Sequence, residues 1–334
     1  MQENSLLVYS ASPHVKAPRT TRQIMLHVCI ALAPACIMGI IYFALSAALI
    51  LLASVLSAVL SEFLYLLISG KKFKEILKQF DCSSCVTGML IGMCMGSQTP
   101  IYAPILASAF AIIVVKMLFG GTGKNLVNPA ITGRIFAFMS FTAVMASGWV
   151  MPTIASISSA TTPTTGATVL TNLYGTNTFP SLSNWDLLLG TGLMGCIGET
   201  CKIALILGGI YLAIVGVINI GYPIIYVAVT GLFTVVLNGF EFTYFLPSIL
   251  SGGLILGAIF MATDYTTTPN TTISNVIYFT MLGLLTAGLR VATGIEVVSF
   301  AILLMNLTVP LFDKFIINKP FGSIKPEKKK GDKN

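Results

Sequence analysis

The sequence predicts an all-α polytopic membrane protein with about ten transmembrane helices in two inverted five-helix repeats, some of them interrupted at glycines. Of its 334 residues, 55% are hydrophobic and 9% are charged, whereas soluble domains carry roughly 25% charged residues. Apolar runs long enough to cross ~30 Å of hydrocarbon recur along the chain. The pattern lacks the alternation of an outer-membrane barrel, so we expect the spans to be helices.

The apolar runs divide the chain into two halves and three polar segments. We predict a basic tail at 1–23, a first five-helix repeat at 24–149, a polar loop at 150–198, a second repeat at 199–313 and a basic tail at 314–334. The predicted spans are 24–43, 45–69, 84–98, 101–119, 131–149, 199–219, 222–239, 246–262, 274–291 and 294–312. The third and eighth spans are rich in glycine, and we expect them to be interrupted.

Weak internal similarity supports two repeats. Gly88–Gly92 followed by Thr99-Pro100 resembles Gly253–Gly257 followed by Thr268-Pro269. Because five spans per half is an odd number, repeats of this kind are inverted relative to each other, as in many transporters. The alternative is chance similarity between apolar segments.

Basic residues mark the predicted sides of the membrane. With the N-terminal tail inside the cell, all 19 Lys and Arg residues except Lys202 and Arg290 fall inside as well. Cytoplasmic loops carry such an excess of positive charge. We therefore expect both termini to be cytoplasmic and the 150–198 loop to be external. The net charge of +7 then reflects topology, and no nucleic-acid partner is expected.

The central loop is rich in hydroxyl groups and contains a candidate modification site. In Thr165-Gly166-Ala167-Thr168, a threonine hydroxyl stands beside two of the smallest residues, so a bulky partner can reach it. An ordinary polar linker has the same composition and is the alternative.

Two inner stretches could hold a ligand. Phe119–Ala130 contains Gly120, Gly121 and Gly123, but it lacks the spacing of a nucleotide-binding P-loop. A tight loop whose Asn125 and Asn128 satisfy backbone groups is the plainer interpretation. The second stretch, Met261–Pro269, contains Asp264, which could bind a ligand or cap the following segment.

Four acids lie in or near apolar spans: Glu62, Glu199, Asp264 and Glu296. Carboxylates inside a membrane mark ion paths, proton relays or subunit contacts. Because Lys202 follows Glu199 by one helical turn, a structural ion pair explains Glu199. Glu62, Asp264 and Glu296 remain as candidates for an ion path between the halves.

Metal and hydrolytic chemistry have little support in the sequence. Cys82 and Cys85 form an isolated CxxC pair, and the chain has two histidines, His14 and His27. A zinc or iron–sulfur site needs further ligands, so we predict no metal site in this chain. The seven cysteines are an odd number, and most have apolar surroundings, which favours buried hydrophobes over disulfides.

Several of these blocks, in this order, resemble one family over nearly the whole chain. The matching pieces are Ser12–His14, Lys116–Asn125, Asn128–Ala130, Gly198–Thr200, Phe260–Asp264 with Pro269, and Phe300–Asn306. They resemble the D subunit of Rnf-type ion-translocating ferredoxin:NAD oxidoreductases and, more distantly, the B subunit of sodium-pumping NADH:quinone reductases. The resemblance implies a membrane subunit of a bacterial or archaeal cell that is inactive alone.

The resemblance also implies cofactors and partners. In that family a flavin transferase esterifies FMN, through its phosphate, to the Thr that ends a Ser/Thr-Gly-Ala-Thr motif, which here is Thr168. An acidic residue often stands six positions before that Thr; here the position is Thr162. The implied partners are peripheral iron–sulfur and NADH-binding subunits, another subunit with covalent FMN, small membrane subunits, and Na⁺ or H⁺ as the coupling ion.

A second, non-covalent flavin, riboflavin or FMN, is a further expectation from the resemblance. The residues expected to hold it are Lys116, Gly120, Gly121, Asn125, Asn128, Thr263 and Asp264.

Two other functions stay open on sequence grounds. A small-solute channel or transporter resembling urea and ammonium channels would use the same kind of scaffold without redox chemistry. A purely structural assembly subunit would carry no flavin either. Flavin fluorescence of the denatured chain, abolished by Thr168→Ala, would separate the redox function from both.

Overall fold

The computed structural model describes residues 19–147, 149, 169–175, 183–190 and 194–316. Among these residues the regular elements are all helical, and none is a β-strand. The predicted all-α membrane class is confirmed. Thr162 and the motif Thr165–Thr168 lie outside the described residues, as do 1–18 and 317–334.

Thirteen helices, counting continuous segments once, make up the described chain. They are α1 (Thr21–Ile68), α2 (Phe73–Gln79), α3 (Ser83–Met93), α4 (Tyr102–Met117), α5 (Pro129–Ser140), α6 (Thr142–Ser147), α7 (Asn184–Leu189), α8 (Lys202–Val215), α9 (Gly221–Leu237), α10 (Phe242–Leu250), α11 (Leu254–Met261), α12 (Thr272–Thr293) and α13 (Val298–Phe315). A π-helical turn at Thr171–Gly175 and a 3₁₀ turn at Ile197–Glu199 lie between α6 and α8.

The first two predicted spans are joined in α1. The helix begins at a capping box, in which Thr20 and Gln23 satisfy each other's backbone N–H groups. At Ala44 the backbone leaves the helical region, with φ 56° and ψ −140°. Positive φ is uncommon for a residue with a side chain. This break lies between the spans predicted at 24–43 and 45–69.

Three described helices are long and apolar enough to cross a membrane: α1, α12 and α13. The pair α10 and α11 would make a fourth span, although it is bent by 66°. Several other apolar helices are shorter, such as α8 and α9. The number of ten spans is therefore not confirmed, and both this count and the inversion of the repeats stay predictions.

Neither glycine-rich span forms one continuous crossing helix: the helix of the third span ends early, at Met93, and the eighth span is interrupted, as predicted. The helix α3 is 11 residues long and packs closely on α1, where a Cβ at Gly88 would lie 2.7 Å from the Cα of Val55. The break in the eighth span separates α10 from α11 at 251–253. Interrupted helices of this kind leave backbone groups free to line a cavity.

The two halves meet where α1 packs on α8. A side chain at Gly208 would overlap the carbonyl of Ala31, and His27 Nδ1 lies 2.8 Å from the hydroxyl of Tyr211. Small residues let helices approach this closely in membranes. A second contact joins α5 to α11, where Asn128 Nδ2 donates to the carbonyl of Met261 at 3.1 Å.

Candidate functional site

Two cavities lie near the two ends of α5. We call the larger one, of about 270 Å³, the Arg134 cavity; the later part of α5, α6, the start of α13 and residues 169–171 and 194–202 contribute to its wall. The smaller one, of about 90 Å³, is the Lys116 cavity; the first turns of α1, α3 and α5 and the ends of α4 and α11 contribute to it.

The wall of the Arg134 cavity includes the residues that directly follow the predicted modification site. Val169, Leu170 and Thr171 line it, and Val169 and Leu170 are buried. Thr168, with Thr165, Gly166 and Ala167, lies outside the described residues, so its modification stays a prediction. Large apolar side chains complete much of the lining: Phe138, Met145, Trp149, Met194 and Phe300.

A buried guanidinium also faces this cavity. Arg134 Nη1 donates to Ser299 Oγ at 3.0 Å, and its Nη2 lies 3.9 Å from Glu199 Oε1. The charge pattern of the sequence places Arg134 at the inner membrane edge. In the structure it is 9% exposed, because α13 and the segment before α8 close over it.

The prediction that Glu199 forms an ion pair with Lys202 is wrong, because the ion-pair partner of Glu199 is Arg134. Lys202 Nζ donates to the main-chain oxygen of Glu199, whereas the carboxylate of Glu199 faces Arg134. Lys202 is 1% exposed and lines the cavity. Among the described residues, no carboxylate forms an ion pair with its ammonium.

Glu296, a predicted ion-path residue, belongs to an ion pair beside the same cavity. Arg290 Nη2 lies 2.7 Å from Glu296 Oε2, and Arg290 Nη1 donates to the carbonyl of Ser248 at 2.8 Å. The backbone N–H groups of Gly253 and Val298 donate to the Glu296 carboxylate, each at 3.2 Å. We call this group the Arg290–Glu296 clasp. It joins the break between α10 and α11 to the helices α12 and α13.

Gly252 allows the clasp to form. Its φ is +66°, a conformation that favours glycine, and a Cβ there would overlap Oε2 of Glu296. The neighbouring hydroxyl of Ser251 and the Nε of Arg290 are buried without a hydrogen-bond partner in the described structure. Because of the overlap with Oε2, any side chain at position 252 would push the Glu296 carboxylate away from Arg290.

In the Lys116 cavity, a single buried cation lies beside more than one acid. Lys116 is 2% exposed, and its Nζ lies 2.9 Å from Glu62 Oε1 and 4.0 Å from Asp81 Oδ1. It also donates to Ser83 Oγ at 2.7 Å, while that hydroxyl donates to Asp81 at 2.5 Å. Burial raises the pKa of Asp81, but the nearby Lys116 and the hydrogen bonds from Ser83 and Thr122 lower it overall. One cation thus faces two acids.

Most residues predicted for the second flavin lie together on this cavity. Those that line it are Lys116, Asn125, Asn128, Thr263 and Asp264. Gly120 and Gly121 do not line it; with φ of +108° and +93° they turn the chain after α4. The structure thus brings five of the predicted residues together.

These polar side chains differ in what they are free to do. Asn128 caps α5 by accepting from the N–H groups of Ala130 and Ile131, and its Nδ2 donates to Met261, so both ends of its side chain are engaged. Asn125 Oδ1 is buried and has no hydrogen-bond partner in the described part of the chain. Asp264 accepts from the N–H and the hydroxyl of Thr266, at 3.2 and 2.9 Å, and stabilises the turn before α12. Asn125 is therefore the clearest free acceptor on this cavity.

The three predicted ion-path residues do not meet at one place. Asp264 lines the Lys116 cavity and Glu62 pairs with its lysine, whereas Glu296 lines the Arg134 cavity. An ion path through all three stays a prediction.

Sequence reasoning missed the buried cations in and beside the larger cavity. Arg134, Lys202 and Arg290 are all buried, and a buried cation inside a membrane is as costly as a buried acid. The signal that could have found them is the presence of a basic residue within an apolar span. Trp149 carried no signal, because an aromatic residue at the end of a span is common at membrane interfaces.

Comparison with known proteins gives a consistent result. The profile of the NQR2, RnfD, RnfE family matches residues 8–322. The D subunit of the Na(+)-translocating ferredoxin:NAD(+) oxidoreductase complex of Acetobacterium woodii is 36% identical over 330 residues, covering 98% of this chain and 99% of the relative.

Two further relatives carry related names. The D subunit of the proton-translocating ferredoxin:NAD(+) oxidoreductase complex of Clostridium ljungdahlii is 32% identical, over 96% of this chain and 98% of the relative. The D subunit of the ion-translocating oxidoreductase complex of Halorhodospira halophila is 29% identical, over 93% and 94%. The first two names differ in the ion that is moved.

Proposed function

Because the chain belongs to the NQR2, RnfD, RnfE family, we propose that it is the D subunit of an ion-translocating ferredoxin:NAD oxidoreductase complex. The observation that carries this proposal is similarity along almost the whole chain to relatives that bear this name. The chain is a helical membrane protein. Its place in the complex would be that of an electron-relaying subunit that is inactive without its partners.

The relay would be FMN, esterified through its phosphate to Thr168. The Arg134 cavity supports this proposal, because its wall begins one residue after Thr168. Its volume of about 270 Å³ is close to the lower end of the roughly 300–1,000 Å³ of small-molecule sites. Aromatic and methionine side chains suit a planar ring, and a buried guanidinium and ammonium suit a ring that gains electrons. The residues fit the group.

The side chains of this cavity have distinct tasks in the proposal. When bound, FMN supplies electron transfer in single or paired steps, which is the chemistry of the cofactor. Phe138, Trp149 and Phe300 would exclude water and hold the ring. Arg134 and Lys202 would supply positive charge, and the Arg290–Glu296 clasp would hold in place the helix break at Gly252, which forms part of the cavity wall.

A second flavin, bound without a covalent link, would occupy the Lys116 cavity. The free Oδ1 of Asn125 suits an N–H donor of such a ring. The excess of acids around Lys116 disfavours a phosphate group, and therefore favours riboflavin over FMN. The cavity of about 90 Å³ is smaller than usual ligand sites, so binding would require the cavity to enlarge.

The partners and the ion follow from the same assignment. We expect iron–sulfur and NADH-binding subunits, another covalent-FMN subunit and small membrane subunits in the complex, and a flavin transferase for maturation. Both termini would be cytoplasmic and the Thr168 loop external, where an exported transferase acts. Because related chains are named for Na⁺ and for H⁺, either ion is a candidate, with Glu62, Asp264 and Glu296 as path residues.

The proposal is tested by expressing the full chain together with a flavin transferase and denaturing it before electrophoresis. We expect a band with flavin fluorescence for the wild type, none for Thr168→Ala, and an unchanged band for the matched variant Thr153→Ala in the same predicted loop. A colourless wild-type band would contradict covalent flavin binding and favour a channel or an assembly subunit.

A further inference from the structure

The Arg134 cavity carries a buried excess of positive charge. Arg134 and Lys202 line it, and Arg290 lies directly behind Glu296; these three cations face two carboxylates, Glu199 and Glu296. The difference, three minus two, is one positive charge. The thiols of Cys94 and Cys196 also lie close to Arg134, and the phenol of Tyr174 lies near Arg290; these groups are uncharged near neutral pH.

The excess is concentrated on Lys202. Arg134 and Arg290 each have a carboxylate within 4 Å, whereas Lys202 has a main-chain oxygen as its acceptor. At 1% exposure, an ammonium with no carboxylate within 4 Å among the described residues is costly, because desolvation of a charge is offset only by a close opposite charge or a dense set of acceptors. The cavity is thus built for a ligand that carries or acquires negative charge.

The Lys116 cavity supplies an internal contrast. There one buried cation faces Glu62 and Asp81, so the excess is negative. The two cavities, near opposite ends of α5, therefore differ in the sign of their buried charge. If the fold simply required buried cations for stability, both cavities should have the same sign of buried charge. Ligands of different charge in the two cavities would account for the difference.

We propose that Arg134 and Lys202 stabilise the negative charge that reduction places on the flavin ring in the larger cavity, and thereby raise its reduction potential. This inference rests on the proposed FMN at Thr168. Two electrons from a redox partner and one proton from water leave one negative charge on the ring, whereas two electrons and two protons leave it neutral. Because the buried cations stabilise the anionic ring, uptake of one proton with two electrons should persist to lower pH than it would without them.

The pH dependence of the potential reports the stoichiometry directly. For a two-electron couple, a tenfold change in equilibrium constant is about 30 mV. The potential therefore falls by about 30 mV per pH unit when one proton accompanies two electrons, and by about 60 mV when two do. The pH at which the slope changes marks where the reduced ring loses its second proton.

The test is a spectroelectrochemical titration of the full chain matured with a flavin transferase. The difference between wild type and Thr168→Ala isolates the covalent flavin from any non-covalent one. Arg134→Gln and Lys202→Gln remove a charge, Arg134→Lys and Lys202→Arg retain it, and Lys124→Gln makes the same change at an exposed lysine.

An opposite charge within about 4–6 Å shifts a pKa by roughly 1–3 units. We therefore expect the slope to change at a pH higher by about 1–3 units in each Gln variant, with a potential lower by about 30–90 mV on the alkaline side. The charge-retaining variants and Lys124→Gln should stay close to wild type.

Several results would overturn the inference while leaving the proposed function intact. One is a fluorescent wild-type chain whose slope changes at the same pH in Lys202→Gln. Another is a Lys variant of Arg134 that behaves like its Gln variant, which would indicate geometry rather than charge. If Arg134→Gln does not fold, the result for Lys202→Gln decides whether the inference holds. In the described structure Lys202 has no ion-pair partner, so its replacement leaves no carboxylate unpaired.

Discussion

Neutralising Glu296 should destabilise the protein strongly, because it leaves Arg290 buried without its counterion. Arg290 is fully buried, and its carboxylate partner lies 2.7 Å away. Breaking a buried pair by removing one charge costs about 3–5 kcal/mol. At about 2.1 cal/mol/K of unfolding entropy per residue, a chain of 334 residues shifts by about 1.4 °C per kcal/mol. Glu296→Gln should therefore lower the melting temperature by about 4–7 °C.

The assay is thermal unfolding of the purified chain in detergent, followed by tryptophan fluorescence. Glu241→Gln makes the same change at an exposed position, and it should shift the melting temperature by less than about 2 °C, as ordinary surface substitutions do. The double variant Arg290→Gln/Glu296→Gln should recover part of the loss, because no unpaired charge remains.

A melting temperature of Glu296→Gln within about 2 °C of the wild type would refute this account of the clasp. So would a double variant that is less stable than Glu296→Gln, since the cost would then not come from an uncompensated charge.

Three further experiments test other parts of the structure. Gly208→Ala should lower the melting temperature because its Cβ would overlap a carbonyl of α1, whereas Gly288→Ala, with nothing within 4 Å, should not; equal shifts would contradict the packing. Asn125→Ala should reduce the non-covalent flavin extracted per chain and leave the covalent flavin unchanged; full retention of both would remove Asn125 from that site. In proteoliposomes containing the whole complex, Glu62→Gln and Asp264→Asn should reduce the ions moved per electron; an unchanged ratio would exclude them from the path.

Much of the fold follows from patterns that the sequence states directly. Low charge and long apolar runs predict membrane helices, and clustered glycines predict the short helix α3 and the break between α10 and α11. The break at Ala44 lies between two predicted spans because together they exceed the length that one crossing needs.

Partners across the sequence could not be predicted in the same way. Glu199 has a lysine one helical turn away, and local spacing favours that pair, but the chain there is a 3₁₀ turn and the carboxylate faces Arg134 instead. Likewise Glu62 and Lys116 meet only because α1 and α4 pack together. Tertiary packing decides such pairs, and one sequence does not reveal it.

The two candidate sites also differ in how far the sequence predicted them. The residues expected around a second flavin came from the family resemblance, and five of them line one cavity. The cations that line the larger cavity come from α5 and α8, with Arg290 of α12 behind them, and none belongs to a recognisable motif. Their meaning depends on a charge balance that becomes visible only when the helices are assembled.

The most direct test of the central claim is mass spectrometry of the peptide that contains Thr168, taken from the chain matured with a flavin transferase. We expect this peptide to be heavier by the mass of FMN less one water, with fragmentation that places the addition on Thr168. An unmodified peptide from a chain matured alongside a correctly flavinylated control protein, or an addition on Thr165, would contradict the claim.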